Sequence, residues 1–90
     1  MYTPEEIKNH LGRLIAQAMY MDVNEIQEDQ LFSSFGLESV TLVKVLQKIN
    51  DTYSCAIEIK ELLPYQTLRE ASSFVYEKIA SQSLQLEEGK

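Results

Sequence analysis

Several things are scarce in these 90 residues: one cysteine, one histidine, no tryptophan, three glycines and two prolines. A lone Cys55 excludes an internal disulfide, and with a lone His10 it is a poor set for a metal site. Cationic residues are also few. Eight Lys and Arg face fourteen Asp and Glu, a formal net charge of −6 with His neutral. That deficit excludes nonspecific binding along a row of phosphates and opposes contact with anionic lipid. No apolar run approaches the ~20 residues needed to span a bilayer. The amino terminus, Met1-Tyr2-Thr3-Pro4-Glu5-Glu6, lacks the basic start and apolar stretch of a secretory signal, so a cytoplasmic location is expected. Gly12, Gly36 and Gly89 lie too far apart to form a phosphate-cradling loop. What is present is a hydrophobic fraction of 44%, ordinary for a folded chain, at a length that suits one small core.

The apolar pattern predicts helices. Thr3, Pro4 and Glu6 form an N-cap, a first-turn proline and a capping-box partner, and Ile7, Leu11, Leu14, Ile15, Ala18 and Met19 follow at helical spacing. A first helix is therefore predicted over about residues 4–20. Residues 21–38 lose the period, although Met21, Val23, Ile26, Leu31 and Phe32 suggest a loop pinned across the bundle. The period returns at Ser39. Val40, Val43, Leu46 and Ile49, widened by Leu42 and Val45, predict a second helix to about Asp51, with Lys44, Gln47, Lys48 and Asn50 on its wetter side. Tyr53 to Glu58 reads as a connection, and Ile59 to Leu63 as one short turn ended by Pro64. Thr67 and Glu70 form a second capping box, and Leu68, Ala71, Phe74, Val75 and Ile79 carry the last helix. The expected fold is all-α, a small four-helix bundle of three main helices and a short third, with a long loop between helices 1 and 2. Residues 1–80 form the domain and 81–90 a flexible C-terminal tail.

Reactive residues are sparse. His10 sits at the edge of the first apolar stripe, where a structural role is the ordinary one. Ser39, His10 and an aspartate could be drawn as a hydrolytic triad, but triads are defined by geometry. Cys55, flanked by apolar residues and remote from cations, reads as a small hydrophobe rather than an activated thiol. Adjacent acidic pairs such as Glu28-Asp29 read as solvated surface. Ser39 stands apart because it opens a helix, where free N–H groups and the positive dipole end favour an anion. On local physics alone a plain capping serine is the favoured explanation, because serines are so frequent at that position.

Longer motifs go further. Leu31-Phe32-Ser33-Ser34-Phe35-Gly36-Leu37-Glu38-Ser39-Val40 resembles the signature of the acyl carrier proteins. Asn50-Asp51-Thr52-Tyr53 resembles the end of that family's second helix. Leu62-Leu63-Pro64-Tyr65-Gln66-Thr67-Leu68 resembles its step from the short third helix into the fourth. The resemblance runs from helix 1 to about residue 80. It implies a non-catalytic carrier whose Ser39 is joined to 4′-phosphopantetheine by a phosphodiester. A phosphopantetheinyl transferase would make that bond from coenzyme A, and the arm's thiol would carry acyl groups as thioesters. Ketosynthase, acyltransferase and other synthase enzymes are the implied partners. The carrier is expected to be a monomer without metal or nucleic acid. Leu37, Glu38, Val40, Lys44 and Gln47 flank Ser39 and are candidates for partner contact.

This chain departs from the family pattern in two ways. Glu38 stands where aspartate is usual and Val40 where leucine is usual, and helix 2 carries Lys44 and Lys48 where fatty-acid carriers are acidic. The resemblance therefore favours polyketide biosynthesis over fatty acid biosynthesis. It lacks the double glycine of peptidyl carriers. Val45 occupies the position where a subset of polyketide carriers has tryptophan. An unmodified helical adaptor of the same fold, with Ser39 only a cap, is the reading from another class.

Overall fold

Thr3 begins the first helix as the spacing predicts. Its Oγ1 accepts from the Glu6 N–H at 3.1 Å, and Glu6 Oε1 accepts from the Thr3 N–H at 2.9 Å. In the computed structural model, which describes residues 2–88, α1 runs Pro4–Met19 and ends at Tyr20 in the left-handed region. α2 spans Ser39–Tyr53, α3 Ile59–Leu62 and α4 Leu68–Glu88. Among the described residues no strand forms; one isolated bridge pairs Leu31 with Thr67. The architecture is the expected bundle.

Its core draws on every helix. Ile7, Leu11 and Ile15 of α1 meet Leu42, Val45, Leu46 and Ile49 of α2, Leu62 of α3 and Leu68, Ala71 and Val75 of α4. Gly12 is buried among them, where a Cβ would lie 3.4 Å from Leu68 Cδ2, so α1 and α4 approach closely there.

The long loop is stitched down at both backbone and side-chain level. Two 3-10 turns, Val23–Glu25 and Phe32–Phe35, give it local order. Ile26, Phe32 and Leu37 drop into the core, whereas Val23 and Leu31 stay exposed. The start of α4 holds the loop. Phe32 N–H donates to Gln66 O at 2.8 Å, and Arg69 N–H donates to Glu28 O at 3.0 Å. Arg69 also grips Asp29 with two guanidinium nitrogens, at 2.7 and 3.2 Å. Lys8 of α1 reaches Glu28 at 3.1 Å, so α1, loop and α4 share one charge network.

Four expectations need correction. The second helix extends two residues past Asp51 to Tyr53, because nothing breaks it before Ser54 adopts φ 54 as its cap. Val40 lies outside the apolar stripe; Leu42, Val45, Leu46 and Ile49 form the buried face. Asn50 is half-buried rather than wet. The segment expected as a flexible tail from Ser81 continues α4 through Glu88, since no helix breaker precedes Gly89. Gly89 and Lys90 lie outside the described residues.

Candidate functional site

The site is built by a turn and two buried anchors. Gly36 closes the second 3-10 turn at φ 84, and its N–H donates to Ser33 O at 3.2 Å. A side chain at that φ costs energy in the backbone itself, which is the reason for glycine. The chain then dips so that Leu37, 6% exposed, joins the core, and Leu42 buries one turn into α2. Between these anchors Glu38, Ser39 and Val40 all face solvent.

Ser39 is not the N-cap. Glu38 holds that position, with φ −99 and ψ 165, and no side chain caps the helix. Ser39 is the first residue of α2, and its hydroxyl has no hydrogen-bond partner among the described residues. The capping explanation of the serine therefore fails. What remains is an exposed hydroxyl at the end of a 15-residue helix whose terminal N–H groups are open. An anion on Ser39 Oγ would gain roughly 0.3–1 kcal/mol from that helix end. The exposed position leaves room for a long substituent, so these residues fit a phosphodiester-linked group.

The other candidates separate from Ser39. His10 Nδ1 and the Tyr53 hydroxyl form a 2.6 Å hydrogen bond, and Tyr2 packs edge-on against Tyr53. Tyr53 is the last residue of α2 and Ser39 the first, which places them about 21 Å apart along the axis at ~1.5 Å per residue. A Ser39–His10 triad is thereby excluded. Burial, followed by the Arg13 charge, pulls the His10 pKa down, and burial above all pushes the Tyr53 hydroxyl up. Both shifts favour the neutral pair that ties α1 to α2.

Cys55 is half-buried, and burial raises its thiol above the ordinary value. Its Sγ–H donates to Asn50 Oδ1 at 3.2 Å. It belongs to a clamp that the sequence did not reveal. Asn50 Nδ2 donates to Ile57 O and Asn50 Oδ1 accepts from the Ile57 N–H, both at 3.0 Å. One amide thus satisfies both backbone polar groups of Ile57 in the loop after α2. The amide at a helix end was the available signal, but its use depends on the loop turning back.

Of the contact candidates, Glu38, Val40, Lys44 and Gln47 are exposed. Leu37 is buried, because it anchors the turn before Ser39, and is thereby corrected from contact surface to core. Among the described residues no group of three His, Cys, Asp or Glu could hold a metal ion, and no helix is long and apolar enough to cross a membrane.

Residues 9–75 match the family model described as "Phosphopantetheine attachment site". The chain belongs to this family. The carrier family's prosthetic group is therefore phosphopantetheine, bound covalently. The chain is 27% identical over 81 residues to Polyketide synthase PksL of Bacillus subtilis (strain 168). That match covers 90% of the chain but only 2% of the relative's length. Among solved structures it is similar to the HMG-ACPI domain from the CurA module of Lyngbya majuscula, determined by NMR. The identity is 36% and the TM-score 0.78, over 90% of this chain and 82% of that one. This carrier domain thus resembles polyketide-type acyl carrier domains in both sequence and fold.

Proposed function

We propose that the chain is a polyketide-type acyl carrier and that Ser39 Oγ bears the 4′-phosphopantetheine. The observation carrying this reading is the exposed, uncapped hydroxyl on the first residue of α2, within the span that matches the attachment-site family. A phosphopantetheinyl transferase presents coenzyme A. Ser39 Oγ forms the new bond to phosphorus, adenosine 3′,5′-bisphosphate leaves, and the hydroxyl proton passes to the transferase. The arm's thiol supplies thioester chemistry when bound. The protein's own work is placement. Leu37 and Leu42 hold the first turn of α2 rigid, the helix end favours the diester charge, and the core stays closed beneath it. Tethering keeps the cargo at high effective concentration beside whichever synthase enzyme has docked. The chain itself breaks no cargo bond, and ketosynthase and acyltransferase are the partner classes.

The test is incubation with coenzyme A, Mg²⁺ and a broad-specificity transferase, followed by intact mass. One arm should be added, and Ser39→Ala should abolish it while leaving stability within about 0.5 kcal/mol of the parent, since the hydroxyl holds nothing. Addition elsewhere, or none with any transferase, overturns the assignment. Polyketide against fatty-acid use is read by acyl transfer from the loaded protein to a modular ketosynthase and to a single-function fatty-acid ketosynthase. The modular enzyme should be served faster.

A further inference from the structure

The outer side of α4 is not a plain polar face. Leu68, Ala71, Ser72 and Val75 turn inward, whereas Glu70, Ser73, Phe74 and Glu77 follow one another at the spacing of a single outward line. Phe74 is only half-buried there. Tyr65, in the link after α3, stacks on it with ring centroids 4.8 Å apart and an interplanar angle of 18°. The Tyr65 backbone is held as well, its N–H donating to Leu62 O at 2.9 Å. Together with Arg69, these residues line an open groove of about 410 Å³.

The charges of this groove do not cancel. Arg69 is paired with Glu28 and Asp29, and Lys78, at the edge, is paired with Glu61. Glu70 and Glu77 enter no ion pair among the described residues. The cations that likewise enter none, Arg13 of α1 and Lys44 and Lys48 of α2, do not line the groove. Two exposed carboxylates about 10 Å apart along α4, at ~1.5 Å per residue, therefore flank an aromatic pair. The aromatic pair already attracts a cation: the Lys78 ammonium lies 5.7 Å from the centroid of the Phe74 ring. α1 packs against both α2 and α4, and no residue of α2 lines the groove, so it is separate from the Ser39 end.

We infer that the groove docks a basic helix of a partner protein, one face of which presents arginine, an apolar side chain and arginine at positions i, i+4 and i+7. Charge complementarity selects this occupant. Two helices lying side by side share the same rise, so cations seven residues apart meet Glu70 and Glu77 together, and the apolar side chain between them rests on Tyr65 and Phe74. A guanidinium suits both parts of the groove, because its planar fork matches a carboxylate and its flat face stacks on an aromatic ring. The contact holds the domain by α4 and leaves Ser39 and the exposed side of α2 uncovered. It is thus an anchoring contact, and it does not depend on what Ser39 carries.

The test is an NMR titration of the unloaded full chain, so failure of arm attachment at Ser39, which intact mass reads separately, does not affect it. The probe is an alanine- and glutamine-based helical peptide of about 18 residues with Arg, Leu and Arg at i, i+4 and i+7. One control peptide places the two Arg on opposite faces, and another replaces both with Glu. Saturable amide shifts are expected at Tyr65, Glu70, Ser73, Phe74 and Glu77, with the amides of residues 39–47 unmoved. Glu70→Gln with Glu77→Gln should weaken binding about tenfold, and the parent should weaken as salt rises. Phe74→Leu keeps apolar bulk without the ring and should weaken binding about threefold. Circular dichroism verifies that the variants fold. The inference is overturned by no saturable shift up to a few millimolar peptide, by shifts centred on α2, or by equal binding of either control. Shifts of the groove amides with protein concentration alone would make a second copy of the chain the occupant and overturn it too.

Discussion

Replacing Asn50 with Ala should be among the more damaging changes outside the apolar core. Its amide makes two 3.0 Å hydrogen bonds to the backbone N–H and C=O of Ile57 and accepts a third from Cys55 Sγ. Ile57 itself is 5% exposed, so its peptide has limited access to replacement water. Two backbone bonds at about 1 kcal/mol each, with incomplete rehydration of the groups left behind, give a loss of about 2–3 kcal/mol. A 90-residue domain holds about 5–13 kcal/mol in total, so this is a large share. The melting temperature should fall by about 10–20 °C. Cys55→Ala removes only the thiol bond and leaves the peptide clamp, so it should cost no more than ~1 kcal/mol. Urea unfolding of both variants gives the comparison. Transfer of the arm to Ser39, about 17 Å away along α2, should proceed at the parent rate below the transition. An Asn50→Ala loss under ~0.5 kcal/mol, or one no larger than that of Cys55→Ala, would refute the clamp.

The turn and the loop network yield further tests. Gly36→Ala should destabilise by about 1–2 kcal/mol in urea unfolding. Its Cβ would meet only Met19 Cε at 3.9 Å, so the penalty comes from φ 84 rather than from a clash. The Arg69 hydrogen bond holds the Asp29 carboxyl below its ordinary value, and that of Lys78 does the same for Glu61. Carboxylates lowered by folding stabilise fully above their ordinary pKa, and the contribution disappears as pH falls through the lowered value. NMR titration should therefore find Asp29 titrating below the ordinary aspartate range, and Arg69→Ala should return it there. The same variant should speed amide exchange at Phe32, whose N–H bonds to Gln66 beside Arg69.

Much of this protein could be read before any coordinates. Helix periodicity and the Thr3–Glu6 capping box are local signals, and α1 begins where they predict. Ser39 was legible as the residue of interest because motif spacing survives without knowledge of contacts. Its relation to the helix end was less clear: a serine there looks like a cap, and only the backbone angles assign that position to Glu38. The stripe of α2 was misjudged by one edge. Val40 and Leu42 are both apolar and both at acceptable spacing, so composition could not tell the buried residue from the exposed one. Rotation of the helix against α1 decided it.

The sequence by itself determined where the chain becomes helical, where it turns and which serine opens the second helix, because these depend on neighbours within one or two turns. Tertiary structure alone decided the rest. It joined Asp29 to Arg69 across 40 positions, folded Ile57 back onto Asn50, drew Leu37 inward and left Val40, Lys44 and Lys48 facing water. Such pairings depend on how packed helices rotate and cross, which is an interaction between distant segments that no local pattern encodes.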